Sequence, residues 1–291
     1  TGVALITPFN EDYSIDFDAL AQIIEYNIEG GTDYLVILGT TAENATLTAE
    51  EQQSVINKAV AVNAGRLPLV LGAGGNNTAA LTQSLEKKDL SAFSAVLSVS
   101  PYYNRPSQAG IFAHYSQVAK ASKLPVILYN VPGRTGSNVL PETVIKLALA
   151  EPNIIGVKDA TGDLDRVDQT LKKMGKDFIQ LTGNDDNALE FNRRGGVGAI
   201  SVTANIAPKL CSEFQKFSIL SDDKSKLEAK KINDILKPVH HSMFIESNPS
   251  PVKYAAKLLN LCDDEVRLPL VKVTEPTKKI IHQALASAKL I

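Results

Sequence analysis

The 291-residue chain has no excess of basic charge, since 30 Lys and Arg stand against 32 Asp and Glu, a net charge of −2. Without long basic runs, that balance leaves no electrostatic footprint for nucleic acid or for an anionic membrane surface. Long hydrophobic runs are missing as well. No apolar stretch reaches about 18 residues, so no transmembrane helix is expected. The opening TGVALITPFNED lacks the basic segment, apolar core and cleavage site of a secretory signal, so secretion is not expected. Thr1 stands where Met would begin a chain, and we expect a few residues to precede it. Cysteine is scarce: Cys211 and Cys262 are far apart and form no CxxC. This excludes a disulfide framework and fits a reducing compartment, with cytoplasm the expected location. His114, His240, His241 and His282 do not combine with carboxylates at ligand spacing near strand ends, so no metal is expected.

What is present is 44% hydrophobic content in a chain long enough to bury a large core. Short apolar runs that end in polar or turn-forming residues recur: GVALITPF, DYLVILGTT, LPLVLGAGG, AVLSVSPYY, LPVILYNVP, NIIGVKDAT, FIQLTGNDD and VGAISVTAN. Their Val, Ile and Leu content suits parallel strands buried on both faces. Amphipathic helical segments lie between them, among them SIDFDALAQIIEYNIEGG and TAEEQQSVINKAVAVNAG, the latter opening with a Thr cap three residues before Glu51. The strands are roughly 20 to 35 residues apart, the size of a βα unit. Eight such units predict a (β/α)8 TIM barrel over residues 1–219, with 220–291 as a C-terminal helical extension. An open doubly wound sheet is the alternative, but GAGGNN follows the third strand and lacks GxGxxG spacing, so it reads as a tight turn.

In such a barrel the chemistry lies at the C-terminal strand ends. There the sixth run carries Lys158, where apolar residues are expected to continue. A lysine in a water-poor site has its ammonium form disfavoured, and the neutral amine is a nucleophile able to form a Schiff base with a carbonyl compound. Alternation places Lys158 on one face with Ile154 and Gly156, and Tyr129 with Ile127. Lys158 and Tyr129 are therefore expected as neighbours, with Gly156 leaving space below the lysine. Tyr129 offers a hydroxyl for proton transfer. Thr40 and Thr41 end the second strand with hydroxyls and backbone N–H groups suited to a carboxylate. Arg134, in a Gly-flanked loop, suits a second carboxylate through its planar fork. Glu43 reads as a general base or as a loop brace, and Asp159 alternates away from Lys158 and reads as structural. The loops TGNDD and TAN lack the glycine-rich pair that binds phosphate, which argues against flavin, pyridoxal phosphate or a phosphorylated sugar. No cofactor is expected.

GTTAEN, SPYYNRP, LYNVPGRTG, GVKDATGD and GAISVTAN together resemble, in order and spacing, the dihydrodipicolinate synthase (4-hydroxy-tetrahydrodipicolinate synthase) family. The resemblance runs through NPSPVKYAAKLLNL and VRLPL in the extension. It implies a class I aldolase-type (β/α)8 enzyme, usually a homotetramer, that condenses pyruvate with L-aspartate 4-semialdehyde on the diaminopimelate route to lysine. By resemblance, Lys158 forms the imine with pyruvate and Tyr129 transfers protons over it. Thr40 and Tyr103 match a hydroxyl relay to solvent, Tyr103 being contributed across a subunit interface. Thr41 matches the residue that holds the pyruvate carboxylate, Ile200 the one whose carbonyl faces bound pyruvate, and Arg134 the one that recognises the semialdehyde carboxylate. The pattern departs at Ala42, where glycine is common, and at Asp159, where glutamate is common.

N-acetylneuraminate lyase and keto-sugar-acid aldolases share the lysine and tyrosine, but a dicarboxylic adduct needs the second cation that Arg134 supplies. A degenerate barrel retained for binding or assembly would be expected to lose Lys158, Tyr129 or the Thr40–Tyr103 relay, and all are present. The positions that match the effector cleft of lysine-inhibited relatives are Asn44, Ala45, Ala49, Gln52, Asn76, Ala80 and Tyr102. Ala80 falls where a glutamate binds the effector's ammonium groups and Ala49 where a histidine stands, so weak or absent inhibition by lysine is expected.

Overall fold

A computed structural model describes all residues, 1–291. Eight strands alternate with helices: β1 (Gly2–Ala4), α1 (Phe17–Glu29), β2 (Tyr34–Ile37), α2 (Ala49–Asn63), β3 (Leu69–Gly72), α3 (Thr78–Lys87), β4 (Ala95–Val99) and α4 (Gln108–Ala121). Then follow β5 (Val126–Asn130), the one-turn helix α5 (Pro132–Thr135), α6 (Pro141–Ala150), β6 (Ile154–Asp159), α7 (Asp165–Met174), β7 (Ile179–Thr182), α8 (Ala188–Arg193) and β8 (Ile200–Ser201). The helices α9 (Pro208–Ser218), α10 (Asp223–Ser242), α11 (Ser250–Leu258) and α12 (Glu275–Ser287) complete the chain. The strand order is β7-β6-β5-β4-β3-β2-β1-β8, and a parallel bridge between Thr182 and Ala199 joins the end of β7 to the residue before β8. This is the (β/α)8 barrel class. No helix is long and apolar enough to cross a membrane.

By packing, the chain divides into two units, Thr1–Pro68 with Ser201–Ile291, and Leu69–Ile200. In the first, Asp16 caps α1 by accepting from the backbone N–H groups of Asp18 and Ala19, and α1 buries Ala19, Leu20, Ile23 and Ile24 at helical spacing. Thr48 and Glu51 close the expected capping box at the start of α2. The boundary at 219/220 lies between α9 and α10.

In the second unit every residue of β5 is buried, as expected of a strand covered on both faces. Register places Val99 opposite Tyr129, Tyr129 opposite Lys158, and Lys158 opposite Leu181. Four neighbouring strands therefore present these side chains on the same face. Of the run VGAISVTAN, Ala199 bridges to Thr182 and only Ile200 and Ser201 form a strand; a 3-10 turn, Thr203–Asn205, takes up its end.

Candidate active site

Lys158 is the last residue but one of β6, with only 6% of its surface exposed. No carboxylate pairs with it, and its Nζ lies 4.2 Å from the centre of the Tyr129 ring. The contact follows from register, since both side chains leave adjacent strands at the same level. Room for the lysine comes from Gly183, just after β7. A Cβ there would sit 2.9 Å from Lys158 Cε and 2.8 Å from Ala160 Cβ. The expected role of Gly156 is corrected by the packing. A Cβ at Gly156 would meet the Ile179 carbonyl oxygen at 2.5 Å, so this glycine admits the β7 backbone and opens no space below the lysine. Asp159 turns to the opposite face, where its Oδ2 accepts from Arg166 Nε at 2.8 Å and its Oδ1 accepts from the N–H and hydroxyl of Thr161. With both oxygens committed, Asp159 is a brace behind the strand.

Arg134 lies exposed on α5, and Tyr103 on the loop after β4. The two loops are tied together. Tyr103 N–H donates to Thr135 O at 3.1 Å, Arg105 Nε to Gly136 O at 3.1 Å, and Ser137 Oγ to Pro101 O at 2.6 Å. Tyr103 has a left-handed backbone (φ 72°), rare for a bulky residue, and its side chain is 87% exposed. Those bonds over-determine the strained backbone, which holds the phenol away from its own unit's interior.

In the first unit, Thr40–Ala42 form a 3-10 turn at the end of β2; Thr40 is exposed and Thr41 buried. Glu43 follows in the left-handed region (φ 53°) and is buried. Its Oε2 accepts from Arg267 N–H at 2.9 Å, and its Oε1 lies 2.5 Å from Nζ of Lys253, a wholly buried residue of α11. Burial depresses the Lys253 pKa, and the Glu43 carboxylate opposes that shift. Lys253 and Arg267 also lie over the Phe9 ring, at 4.0 and 4.4 Å from its centre. Arg267 clamps Glu51 through both guanidinium nitrogens, at 2.7 and 2.6 Å, which holds the Glu51 carboxyl down at about 2. Of the two readings for Glu43, the geometry favours the brace, because its carboxylate is committed. Thr41 Oγ1 accepts a hydrogen bond from Asn248 Nδ2 at 3.0 Å. Ile200, in the second unit, is buried in β8. Asp263, Asp264 and Glu265 lie close enough to share a cation, but Lys257 and Lys272 pair with them.

Of the sequence-predicted residues, Lys158 and Tyr129 are in contact, while Tyr103 and Arg134 stand on loops that bond to each other. Asn248, Lys253 and Gly183 were missed. The only available signals were a buried-type position for Lys253 within the apolar face of α11, and the turn signal of Gly183 after an apolar run.

The chain matches the model of the Dihydrodipicolinate synthetase family over residues 2–288. It belongs to that family. A 4-hydroxy-tetrahydrodipicolinate synthase of Pelagibacter ubique is 54% identical, the alignment covering 100% of this chain and 99% of the relative. The chloride-inhibited dihydrodipicolinate synthase of Acinetobacter baumannii, solved with pyruvate, superposes with a TM-score of 0.95 at 39% identity, over 100% of this chain and 99% of that one. The enzyme of Cyanidioschyzon merolae with lysine bound gives a TM-score of 0.95 at 32% identity, over 100% and 98%. The Dihydrodipicolinate synthetase match extends through α11, so Asn248 and Lys253 lie inside it.

Proposed function

We infer that the protein condenses pyruvate with L-aspartate 4-semialdehyde to 4-hydroxy-tetrahydrodipicolinate through an imine on Lys158. The observation that carries this reading is a buried lysine with no carboxylate partner, in contact with a tyrosine at the strand ends of a (β/α)8 barrel. Neutral Nζ adds to the C2 carbonyl of pyruvate and water leaves, giving the imine. Loss of a methyl proton makes the enamine, whose carbon attacks the aldehyde while the aldehyde oxygen takes up a proton. The substrate's own amino group then attacks the imine carbon, closes the ring and returns the lysine amine. Tyr129 carries these protons, and Thr40 and Tyr103 pass them to solvent. Thr41 holds the pyruvate carboxylate, the Ile200 carbonyl faces the pyruvate, and Arg134 receives the semialdehyde carboxylate.

The exposed, strained Tyr103 fits a hydroxyl that serves an adjoining copy in a homotetramer, a dimer of dimers. Cys211 and Cys262 form no disulfide, which suits a reducing, cytoplasmic setting. A coupled assay that offers pyruvate with aspartate semialdehyde, against one that offers N-acetylneuraminate, tests the reading. Turnover only in the first supports it; turnover only in the second replaces it with a sugar-acid lyase.

A further inference from the structure

Asn248 precedes α11, far along the chain from the turn it touches, and is buried with its Nδ2 3.0 Å from Thr41 Oγ1. A threonine hydroxyl carries one proton to donate and lone pairs to accept with. An amide N–H on the oxygen directs the hydroxyl proton elsewhere, and no protein acceptor takes it. A buried donor without an acceptor costs free energy unless something arrives to accept from it. The same short segment also grips the far side of the turn, because Lys253 in the first half of α11 pairs with Glu43, two residues beyond Thr41. Thr41 is thus bracketed by two attachments, one from the turn before α11 and one from α11 itself, and the first fixes its hydroxyl.

We propose that Asn248 is a positioning residue for substrate: by donating to Thr41 Oγ1, it commits the Thr41 hydroxyl to donate to a carboxylate. This rests on the reading that Thr41 binds the pyruvate carboxylate. Asn248→Asp keeps the shape but replaces the donor with an acceptor. The hydroxyl proton is then drawn back to residue 248, and the Thr41 oxygen meets the substrate's oxygen without a proton between them. Asn248→Ala removes the direction and leaves the hydroxyl free to rotate.

The test compares the unaltered protein, Asn248→Asp, Asn248→Ala, Thr41→Val and the Thr41→Val/Asn248→Ala pair, with folding checked by circular dichroism. The readouts are KM for each substrate, kcat, and the pyruvate concentration for half-maximal borohydride trapping on Lys158. We expect Asn248→Asp to raise the pyruvate KM and the trapping concentration by about tenfold or more, the scale of one hydrogen bond to a charged group. The semialdehyde KM should stay within about twofold, as expected for a group that acts on one substrate. Asn248→Ala should have a smaller effect and add nothing in the Thr41→Val background, because the two act through one hydroxyl. A merely structural role would lower the active fraction and kcat while leaving the trapping concentration in place, and that result overturns the assignment. So does an Asn248→Ala effect that adds in full to Thr41→Val. If Asn248→Ala does not fold, the trapping concentration of the isosteric Asn248→Asp decides the matter in the same way. If the unaltered protein traps no pyruvate on Lys158, the functional reading itself fails; trapping that the variants leave unchanged overturns only the role of Asn248.

Discussion

Nζ of Lys158 lies 4.2 Å from the centre of the Tyr129 ring, while Nζ of Lys253 lies 2.5 Å from a carboxylate oxygen of Glu43. Both lysines are buried, and they satisfy burial in opposite ways. Lys253 keeps a full counter-charge and the Glu265 carbonyl, which accepts from its Nζ at 2.8 Å. That is the arrangement of a structural ion. Lys158 has an aromatic face in place of a carboxylate. That leaves the Lys158 nitrogen outside any ion pair, as a nucleophile that must reach a carbonyl carbon requires.

The first prediction separates the two lysines by stability. Lys253→Met leaves Glu43 buried without its cation and should destabilise the fold by about 3–5 kcal/mol, the usual cost of breaking one side of a buried pair. Combining it with Glu43→Gln should recover much of that loss, as read by urea denaturation. A single variant as stable as the parent would remove the brace from the account.

Gly183 supplies the second. A Cβ there would press on Lys158 Cε from 2.9 Å and on Ala160 Cβ from 2.8 Å, so Gly183→Ala must displace the lysine. A misplacement of this order costs about 10²-fold in rate. Single-turnover imine formation should slow accordingly in a protein that still folds, whereas an unchanged rate would show that Lys158 does not depend on that space.

Tyr129 and Arg134 should fail differently. Tyr129→Phe keeps the ring beside Lys158 but removes the hydroxyl, so kcat should fall by about 10²- to 10⁴-fold, the range for a general acid–base group. Arg134→Ala should raise the semialdehyde KM with little effect on that of pyruvate. Equal increases in both values would remove the assigned role of Arg134.

The fourth prediction concerns pH. Burial holds His114, whose Nδ1 lies 2.8 Å from Thr78 Oγ1, down at about 4 from an ordinary value of 6.5. Between those values the unfolded chain binds a proton that the folded chain does not. Stability from this group is therefore complete above about 6.5 and declines as pH falls toward about 4. His114→Asn should flatten the stability profile within that window; an unaltered slope in denaturation curves would assign the acid sensitivity to other groups.

Much of this was legible in the sequence, for identifiable reasons. Period-2 alternation put Lys158 and Tyr129 on the same face, and adjacent parallel strands turned that shared face into contact. Asp159 was readable as structural from the same alternation. Gly156 was misread because the absence of a side chain does not say which neighbour needs the space; the β7 backbone needs it, and Gly183 serves the lysine. Asn248 on Thr41 and Lys253 on Glu43 join residues about two hundred positions apart (|i−j| = 207 for the first). Local periodicity and turn chemistry carry no information about pairs that meet only through tertiary packing. The exposure of Tyr103 was likewise not readable from SPYYNRP, because it depends on the bonds that tie that loop to α5.

The central claim is that Lys158 is the amine that binds pyruvate, and borohydride reduction in the presence of pyruvate tests it most directly. Peptide mass spectrometry should find one reduced three-carbon adduct, on the peptide containing Lys158, and none when pyruvate is omitted. An adduct on another lysine, or pyruvate turnover with no adduct at all, would contradict the account.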